Sequence, residues 1–258
     1  MHTTDWNPDL YLKFGNERTQ PSIDLVARIN CDNPQRIIDI GCGPGNSTQV
    51  LAQRWPGARI TGIDNSPAMI EKAKAGYPNM EWKIADAGTD DIEGIYDLVF
   101  SNATIQWIPD HEALLERFSR LLPDNGILAV QVPQFFDMPL GKSIAAIAAD
   151  NRWRTETEEV TAHFTIHDGP AYYDYLTALF RQVEMWQTDY VHIFDSHLSV
   201  LEMIRSTGLR PYLNKLTKEE DRRDFEERVL QSVVKDYPLQ KNGKVLFPFK
   251  RLFFIAGK

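Results

Sequence analysis

The chain has 258 residues, 43 % of them hydrophobic and 25 % charged, and carries a net charge of −8. That is an ordinary globular balance, with room for one well-buried α/β domain carrying an addition, or for two small domains. The acid excess argues against a nucleic-acid substrate, which calls for a basic face, but leaves room for a small anionic one, because a pocket needs only a few local cations.

The first 16 residues set Trp6, Tyr11 and Phe14 among polar neighbours, too aromatic a mix for a disordered tail. With Arg18 they read either as a lid that closes over a ligand and excludes water or as a staple that anchors the N-terminus. No basic stretch precedes an apolar core here, and no window approaches 18 apolar residues, so a cytoplasmic protein without a membrane span is expected. A helix is predicted over 17–30, with Leu25, Val26 and Ile29 on its apolar side. Strands and helices then alternate: strand 36–40, helix 46–55, strand 58–63, helix 67–75, strands 80–85 and 96–101, helix 111–122, strand 126–132. Ser66 is placed to cap the second of these helices, with Pro67 at its first position. Alternation at this spacing predicts an α/β fold: Rossmann-like, doubly wound, with a mostly parallel seven-stranded sheet. Right-handed crossovers gather the strand C-termini on one edge.

The regularity breaks after Pro133. Residues 141–182 read as helical, and Gln182 to Asp195 as a strand. Ser196 can cap a helix carrying Leu198, Leu201 and Ile204 that stops at Gly208. Thr217-Lys218-Glu219-Glu220 is a capping-box pattern that opens a helix ending near Pro238, and a last strand starts at Val245. A single domain over 1–258 is expected, with a helical cap insertion over about 135–182 and 197–240 folded across the ligand edge.

The chemistry concentrates in Ile37-Ile38-Asp39-Ile40-Gly41-Cys42-Gly43-Pro44-Gly45. A strand ending in an acid, then a turn of alternate glycines, brings bare backbone against a ligand. A pyrophosphate would be repelled by Asp39, whereas an ammonium group would be attracted, which favours S-adenosylmethionine (SAM) over the NAD of a dehydrogenase. Asp64 closes the next strand about 20 residues on, where such folds hold ribose hydroxyls. Asp86, with Ala87 beside it, follows the third strand and can accept an adenine amino group; its bland reading is a loop acid. Met69 is placed against the adenine face or in the core. Asn102 follows the fourth strand and is placed at the methionine moiety. Gln106 and Trp107 come next, close to the transferable methyl, where an aromatic face near a sulfonium is worth about 0.5–2 kcal/mol. In the expected cap, Arg205 and Arg210 are candidates for gripping carboxylates bidentately, with Tyr212 alongside; Arg152 and Arg154 are further cations. Cys31 and Cys42 form neither a disulfide framework nor a metal set, and no histidine spacing or nucleophile elbow supports a metalloenzyme or hydrolase.

These residues resemble the trans-aconitate methyltransferase family, class I SAM-dependent enzymes. The resemblance covers nearly the whole length. It rests on Asp5-Trp6-Asn7-Pro8 with Tyr11, Phe14 and Arg18, on Ile38 to Thr48, on Ser101-Asn102-Ala103 with Gln106-Trp107, and on Ser206-Thr207-Gly208-Leu209-Arg210-Pro211-Tyr212. It implies methyl transfer to one carboxylate of trans-aconitate or a similar small polycarboxylate, giving a monomethyl ester and S-adenosylhomocysteine. Part of the set also resembles enzymes that methylate a carrier-protein-bound malonyl carboxylate, and a SAM-binding protein without turnover is the alternative of another class. A monomer acting on a small anion, with neither nucleic acid nor membrane as partner, is the accompanying expectation. A carboxylate is already ionised at pH 7, so such a reaction needs positioning rather than a general base.

Overall fold

The protein is described here by a computed structural model covering residues 14–258. Helix α1 spans Gly15–Arg28 and is followed by β1 (Arg36–Ile40), α2 (Asn46–Arg54), β2 (Arg59–Asp64), α3 (Pro67–Gly76), β3 (Glu81–Ile84), β4 (Leu98–Asn102), α4 (His111–Arg120) and β5 (Ile127–Pro133). Then come α5 (Pro139–Ala148), α6 (Arg154–His163), α7 (Gly169–Thr177), β6 (Gln182–Phe194), α8 (His197–Arg205), α9 (Arg210–Lys215), α10 (Glu219–Asp236) and β7 (Val245–Gly257). The strands form one seven-stranded sheet in the order β3-β2-β1-β4-β5-β7-β6. Strand β1 runs parallel to β2 on one side and to β4 on the other, β2 parallel to β3, and β4 parallel to β5. The predicted Rossmann-like α/β class is what is found.

The described residues fall into two compact units. The first holds the residues through Val132 together with 167–187 and 252–258; the second holds 133–166 and 188–251. In the first, β1 is buried on both faces from Ile37 to Ile40, as covered parallel strands are. Ile38, Ile40, Val99, Phe118, Val130 and Phe254 belong to one core cluster, and α7 adds Tyr172 and Leu176 to it. Helix α7 had been expected with the insertion; its apolar side is instead part of the sheet core. The order of strands reverses beside β1, where β2 follows on one side and β4 on the other. In open α/β sheets a ligand crevice lies at that switch point, outside the carboxyl ends of the strands.

The second unit has its own core. Trp153 packs edge-on to Phe225 at 5.1 Å, and Tyr212 stacks on Phe225 at 6.0 Å. Arg152 bonds Asp221 at 2.7 Å and also reaches Asp224, so this cation is a strut between α10 and the residues before α6. Ser196 caps α8 as expected, accepting from Ser199 N–H at 3.2 Å. The expected capping box at Thr217 does not form. Lys218 stands at the N-cap, and Thr217 gives its hydroxyl to Glu156 at 3.2 Å; a carboxylate on α6 outcompetes the local turn.

Candidate cofactor site

The carboxyl ends of β1, β2 and β4, with the loop after β3, surround a cleft of about 300 Å³. After β1 the chain turns back sharply: Gly41 and Cys42 both donate to Ile63 O, at 2.8 and 2.9 Å. Gly41 holds φ +73°, and a Cβ there would sit 2.0 Å from Thr104 Oγ1. Gly43 holds φ +55°, and a Cβ there would meet nothing within 4 Å. The glycines therefore serve different ends. At Gly41 close packing by the protein itself forbids a side chain. Gly43 is the one whose bareness opens onto the cleft. At Gly45 the space is taken by Tyr77 and Trp82.

Asp64 is held by two backbone donors. Its Oδ2 accepts from Gly43 N–H at 3.0 Å and its Oδ1 from Ser66 N–H at 2.9 Å. Ser66 caps α3 as expected, accepting from Met69 N–H at 3.2 Å. Asp86 lies across the cleft in a tight loop. Its Oδ1 accepts from Gly88 N–H at 2.8 Å and its Oδ2 from Asn65 Nδ2 at 3.4 Å. Each carboxylate oxygen keeps lone-pair capacity beyond these bonds. Arg117 braces the same loop by donating to the carbonyls of Gly88 and Asp90.

The third wall follows β4. Ala103 adopts φ +54°, an uncommon conformation for a residue with a Cβ, and Thr104 shares its hydroxyl between Gly41 O at 3.3 Å and Asn102 O at 3.2 Å. A 3₁₀ turn, Ile105–Trp107, then carries Trp107 to the cleft. Its first carbonyl is gripped by buried His111, whose Nε2 lies 2.8 Å from Ile105 O while Nδ1 lies 2.8 Å from the Tyr172 hydroxyl. Burial lowers the pKa of His111, so the ring is neutral and donates through Nε2.

Of the expected cofactor residues, Gly41, Gly43, Asp64, Met69, Asp86, Ala87 and Asn102 all line the cleft, as does Trp107. Four expectations are revised. Asp39 is wholly buried and does not line the cleft. Its Oδ2 accepts from Ser47 and Thr48 hydroxyls at 2.6 Å each, which ties the glycine turn to the start of α2. Burial raises its pKa to about 6, against the pull of those two hydroxyls, and its Oδ1 has no hydrogen-bond partner among the described residues. Gln106 turns inward and gives Nε2 to Ala103 O at 2.6 Å. Arg205 is exposed, and Glu226 grips it with two bonds of 2.5 and 2.7 Å. Tyr212 is 2 % exposed, its ring in the core of the second unit. Arg210, half-buried, opens α9. Arg18 is buried near the Phe14 ring and lines a small recess with Asn102 and Ser47. Trp6 and Tyr11 lie outside the described residues.

Asn65, Ala103, Thr104 and Ile108 also line the cleft and were missed, as were Ser47 and Thr48 behind it. The hydroxyl pair four residues after the second glycine was a usable signal for what holds Asp39. Nothing in the local pattern marks Ala103 for a positive φ.

The donor set fits an adenosyl sulfonium compound. Two acids, an apolar flank of Met69, Ala85 and Ile108, and an aromatic ring suit a nucleoside with a cationic tail. Asn102 leaves a buried Oδ1 with no partner among the described residues in the same wall, an acceptor available to a bound donor. A phosphate would face Asp64 with no cation among the described residues that line the cleft.

Residues 11–210 match the model of a methyltransferase domain. The chain is 44 % identical over 254 residues to the trans-aconitate 2-methyltransferase of Enterobacter sp. (strain 638), covering 98 % of each. It is 42 % identical over 255 residues to the enzyme of that name from Escherichia coli O7:K1, covering 99 % of each. The chain belongs to the trans-aconitate 2-methyltransferase family. Among solved structures it resembles the YcgJ protein of Bacillus subtilis, with a TM-score of 0.63 at 13 % identity, covering 93 % of this chain and 98 % of that one. It also resembles Haemonchus contortus phosphoethanolamine N-methyltransferase 2 in complex with SAM, with a TM-score of 0.60 at 18 % identity, covering 97 % of this chain and 56 % of that one. At such identities the likeness to these two is one of fold. No helix among the described residues is long and apolar enough to cross a membrane.

Proposed function

We propose that this chain transfers a methyl group from SAM to a carboxylate of trans-aconitate, giving a monomethyl ester and S-adenosylhomocysteine. The carrying observation is identity above 40 % along 98 % of both chains to enzymes of that name; the acid-lined cleft beside a glycine turn supports the cofactor.

The residues divide the work by position. Asp64 accepts from the ribose hydroxyls while keeping its two backbone donors, so the β2 tip and the glycine turn stay in register as the ligand enters. Asp86 and the Ala87 backbone meet the adenine edge, and Met69 and Ile108 cover its faces. Gly43 and the Asn102 amide meet the amino-acid tail, with ionised Asp39 supplying negative potential from behind the turn. Trp107 offers a ring face to the sulfonium. SAM supplies an electrophilic methyl on a positively charged sulfur. The chain has no proton to remove from an acid already ionised at neutral pH, so its task is to orient that carboxylate in line and to keep water out.

The small carboxylate partner and a soluble, cytoplasmic, monomeric enzyme complete the reading. The test is incubation of the purified protein with SAM and trans-aconitate, followed by mass measurement of the methyl ester. Turnover of a malonyl group on a carrier protein without turnover of trans-aconitate would overturn the substrate assignment. Tight SAM binding without transfer to any acid would overturn the activity.

A further inference from the structure

Among the described residues only Ala103, at φ +54°, and Asp110, at φ +57°, hold a positive φ without being glycine. They bracket a single segment, 103–110, which begins where β4 ends and stops at the N-cap of α4. Left-handed backbone in residues with a Cβ is strained; it persists only where the surroundings over-determine it, and it clusters at ligand clamps. The segment supplies Ala103, Thr104, Trp107 and Ile108 to the cleft, so whatever fixes its conformation fixes that side of the cofactor site.

The fastening is a buried histidine that does not itself line the cleft. Ile105 O accepts the Ile108 N–H at 2.9 Å, closing the 3₁₀ turn, and lies 2.8 Å from His111 Nε2. Both lone pairs of that carbonyl are thus engaged. The Tyr172 hydroxyl, 2.8 Å from Nδ1, selects the tautomer. Its oxygen takes a backbone hydrogen bond from His167, which directs its own proton to Nδ1 and leaves the imidazole proton for Ile105 O. His111 and Tyr172 are both buried, so water does not stand in for either bond. The ends of the segment are tied as well: Gln106 gives Nε2 to Ala103 O, and Asp110 Oδ1 accepts from Ala113 N–H at 3.1 Å.

We propose that His111, set by Tyr172, is a positioning residue that aims Trp107 at the cofactor's sulfonium and thereby governs both SAM affinity and turnover. This rests on the reading of the cleft as the SAM site. Without the bond to Ile105 O, the two left-handed residues can relax toward ordinary backbone, and a small rotation at either end carries the Trp107 ring off its place. Cation–π attraction needs the cation over the ring face within about 6 Å, so a misdirected ring loses the contact although every residue lining the cleft is unchanged. A shift of about 1 Å from a change remote from the chemistry can lower a rate on the order of 100-fold.

The experiment is a double-mutant cycle in the full chain: His111→Phe, Trp107→Ala and the two combined. His111→Phe should weaken SAM binding by calorimetry at least tenfold and lower kcat with trans-aconitate by more than that. In the Trp107→Ala background the same change should weaken SAM binding less than threefold, because the ring it aims is gone. His111→Gln keeps an N–H where Nε2 stood and should recover most of both losses. A packing role alone predicts a lower Tm with SAM affinity unchanged in the folded protein, or equal loss in both backgrounds. Either result overturns the proposal, as does a His111→Gln variant no better than His111→Phe. Should His111→Phe not fold, Tyr172→Phe replaces it in the cycle: a several-fold loss that disappears in Trp107→Ala upholds the proposal, and an absent or additive loss overturns it. A wild type that binds SAM yet leaves trans-aconitate unmethylated fails the functional reading alone, and the affinity cycle still decides this one.

Discussion

Asp64 accepts the Gly43 N–H at 3.0 Å across 21 residues of sequence, and with its other oxygen it accepts the Ser66 N–H. One carboxylate thus sets the spacing between the glycine turn and the start of α3, the two segments that frame the cleft from the β1 and β2 side. Hydrogen bonds to a charged acceptor are worth about 1.5–3 kcal/mol each. Asp64→Ala should therefore weaken SAM binding by more than tenfold, from lost ribose contacts and a loosened turn together. Asp64→Asn keeps one acceptor and should fall between. Calorimetry on folded protein measures this, and unchanged affinity in Asp64→Ala would remove Asp64 from the site.

The two glycines of the turn should separate stability from binding. Gly41→Ala places a methyl 2.0 Å from Thr104 Oγ1 at φ +73°, so it should lower Tm markedly, because both chain and neighbour must move. Gly43→Ala meets no protein atom within 4 Å and bears chiefly the left-handed penalty, about 1–2 kcal/mol. Its larger effect should be on SAM affinity, since its methyl occupies the cleft. Thermal melts beside calorimetry read both; equal loss of Tm in the two variants would contradict the division.

Much of the frame was readable from sequence because parallel strands buried on both faces write themselves as short apolar runs. Ile37 to Ile40 and Leu98 to Ser101 are such runs, and an acid or amide marks each end. Asp64, Asp86 and Asn102 follow from that. What escaped depends on which way a side chain turns, and pattern does not encode that. Gln106 points to Ala103 O while its neighbour Trp107 reaches the cleft. Arg205 follows buried Ile204 in sequence yet is held at the surface by Glu226, a partner 21 residues away. Helix α7 reads as a weak helix in isolation; burial of Tyr172 and Leu176 in the sheet core defines it.

Asp39 should make SAM binding depend on acidity. Burial raises its pKa to about 6, so between its unfolded value near 4 and about 6 the native state holds a proton that the unfolded chain has lost. The sign is therefore reversed from a salt-bridged acid: this group's contribution to stability declines as pH rises through that window. Ionisation is what draws a cationic ligand, so SAM affinity should rise from pH 5 to pH 7. Asp39→Asn, which keeps an acceptor for Ser47 or Thr48, should flatten the profile. Calorimetry across this range in both proteins checks it; parallel slopes would assign the titration elsewhere.

His111 links the sheet core to the cleft wall, with Tyr172 on one nitrogen and Ile105 O on the other. Tyr172→Phe strips a buried acceptor of its donor, which costs about 1–3 kcal/mol, and should lower Tm. Burial lowers the His111 pKa, so the unfolded chain takes up a proton first on acidification. Its share of stability is present above about pH 6.5 and is lost as pH falls below that value towards the folded pKa. His167, edge-on to the same ring at 5.1 Å, also disfavours the charge, whereas Asp110 favours it. Melts from pH 5 to 8 should show a shallower acid slope in a folded His111→Gln variant than in the wild type.

Arg205 and Arg210 were read from sequence as equivalent candidates for the substrate, and the structure separates them. Arg205 gives one edge of its fork, Nε and Nη2, to Glu226, at 2.5 and 2.7 Å, with its own side chain 45 % exposed. An exposed pair of this kind contributes little, typically under about 1 kcal/mol. Arg205→Ala should leave the KM for trans-aconitate within twofold and Tm nearly unchanged, and Glu226→Gln should behave the same way. Arg210 opens α9 half-buried, and Arg210→Ala should raise the substrate KM more than it alters SAM affinity. Steady-state kinetics on the three variants discriminate. A KM raised in Arg205→Ala but not in Arg210→Ala would reverse the two roles and mean that the Glu226 pair opens to admit the acid.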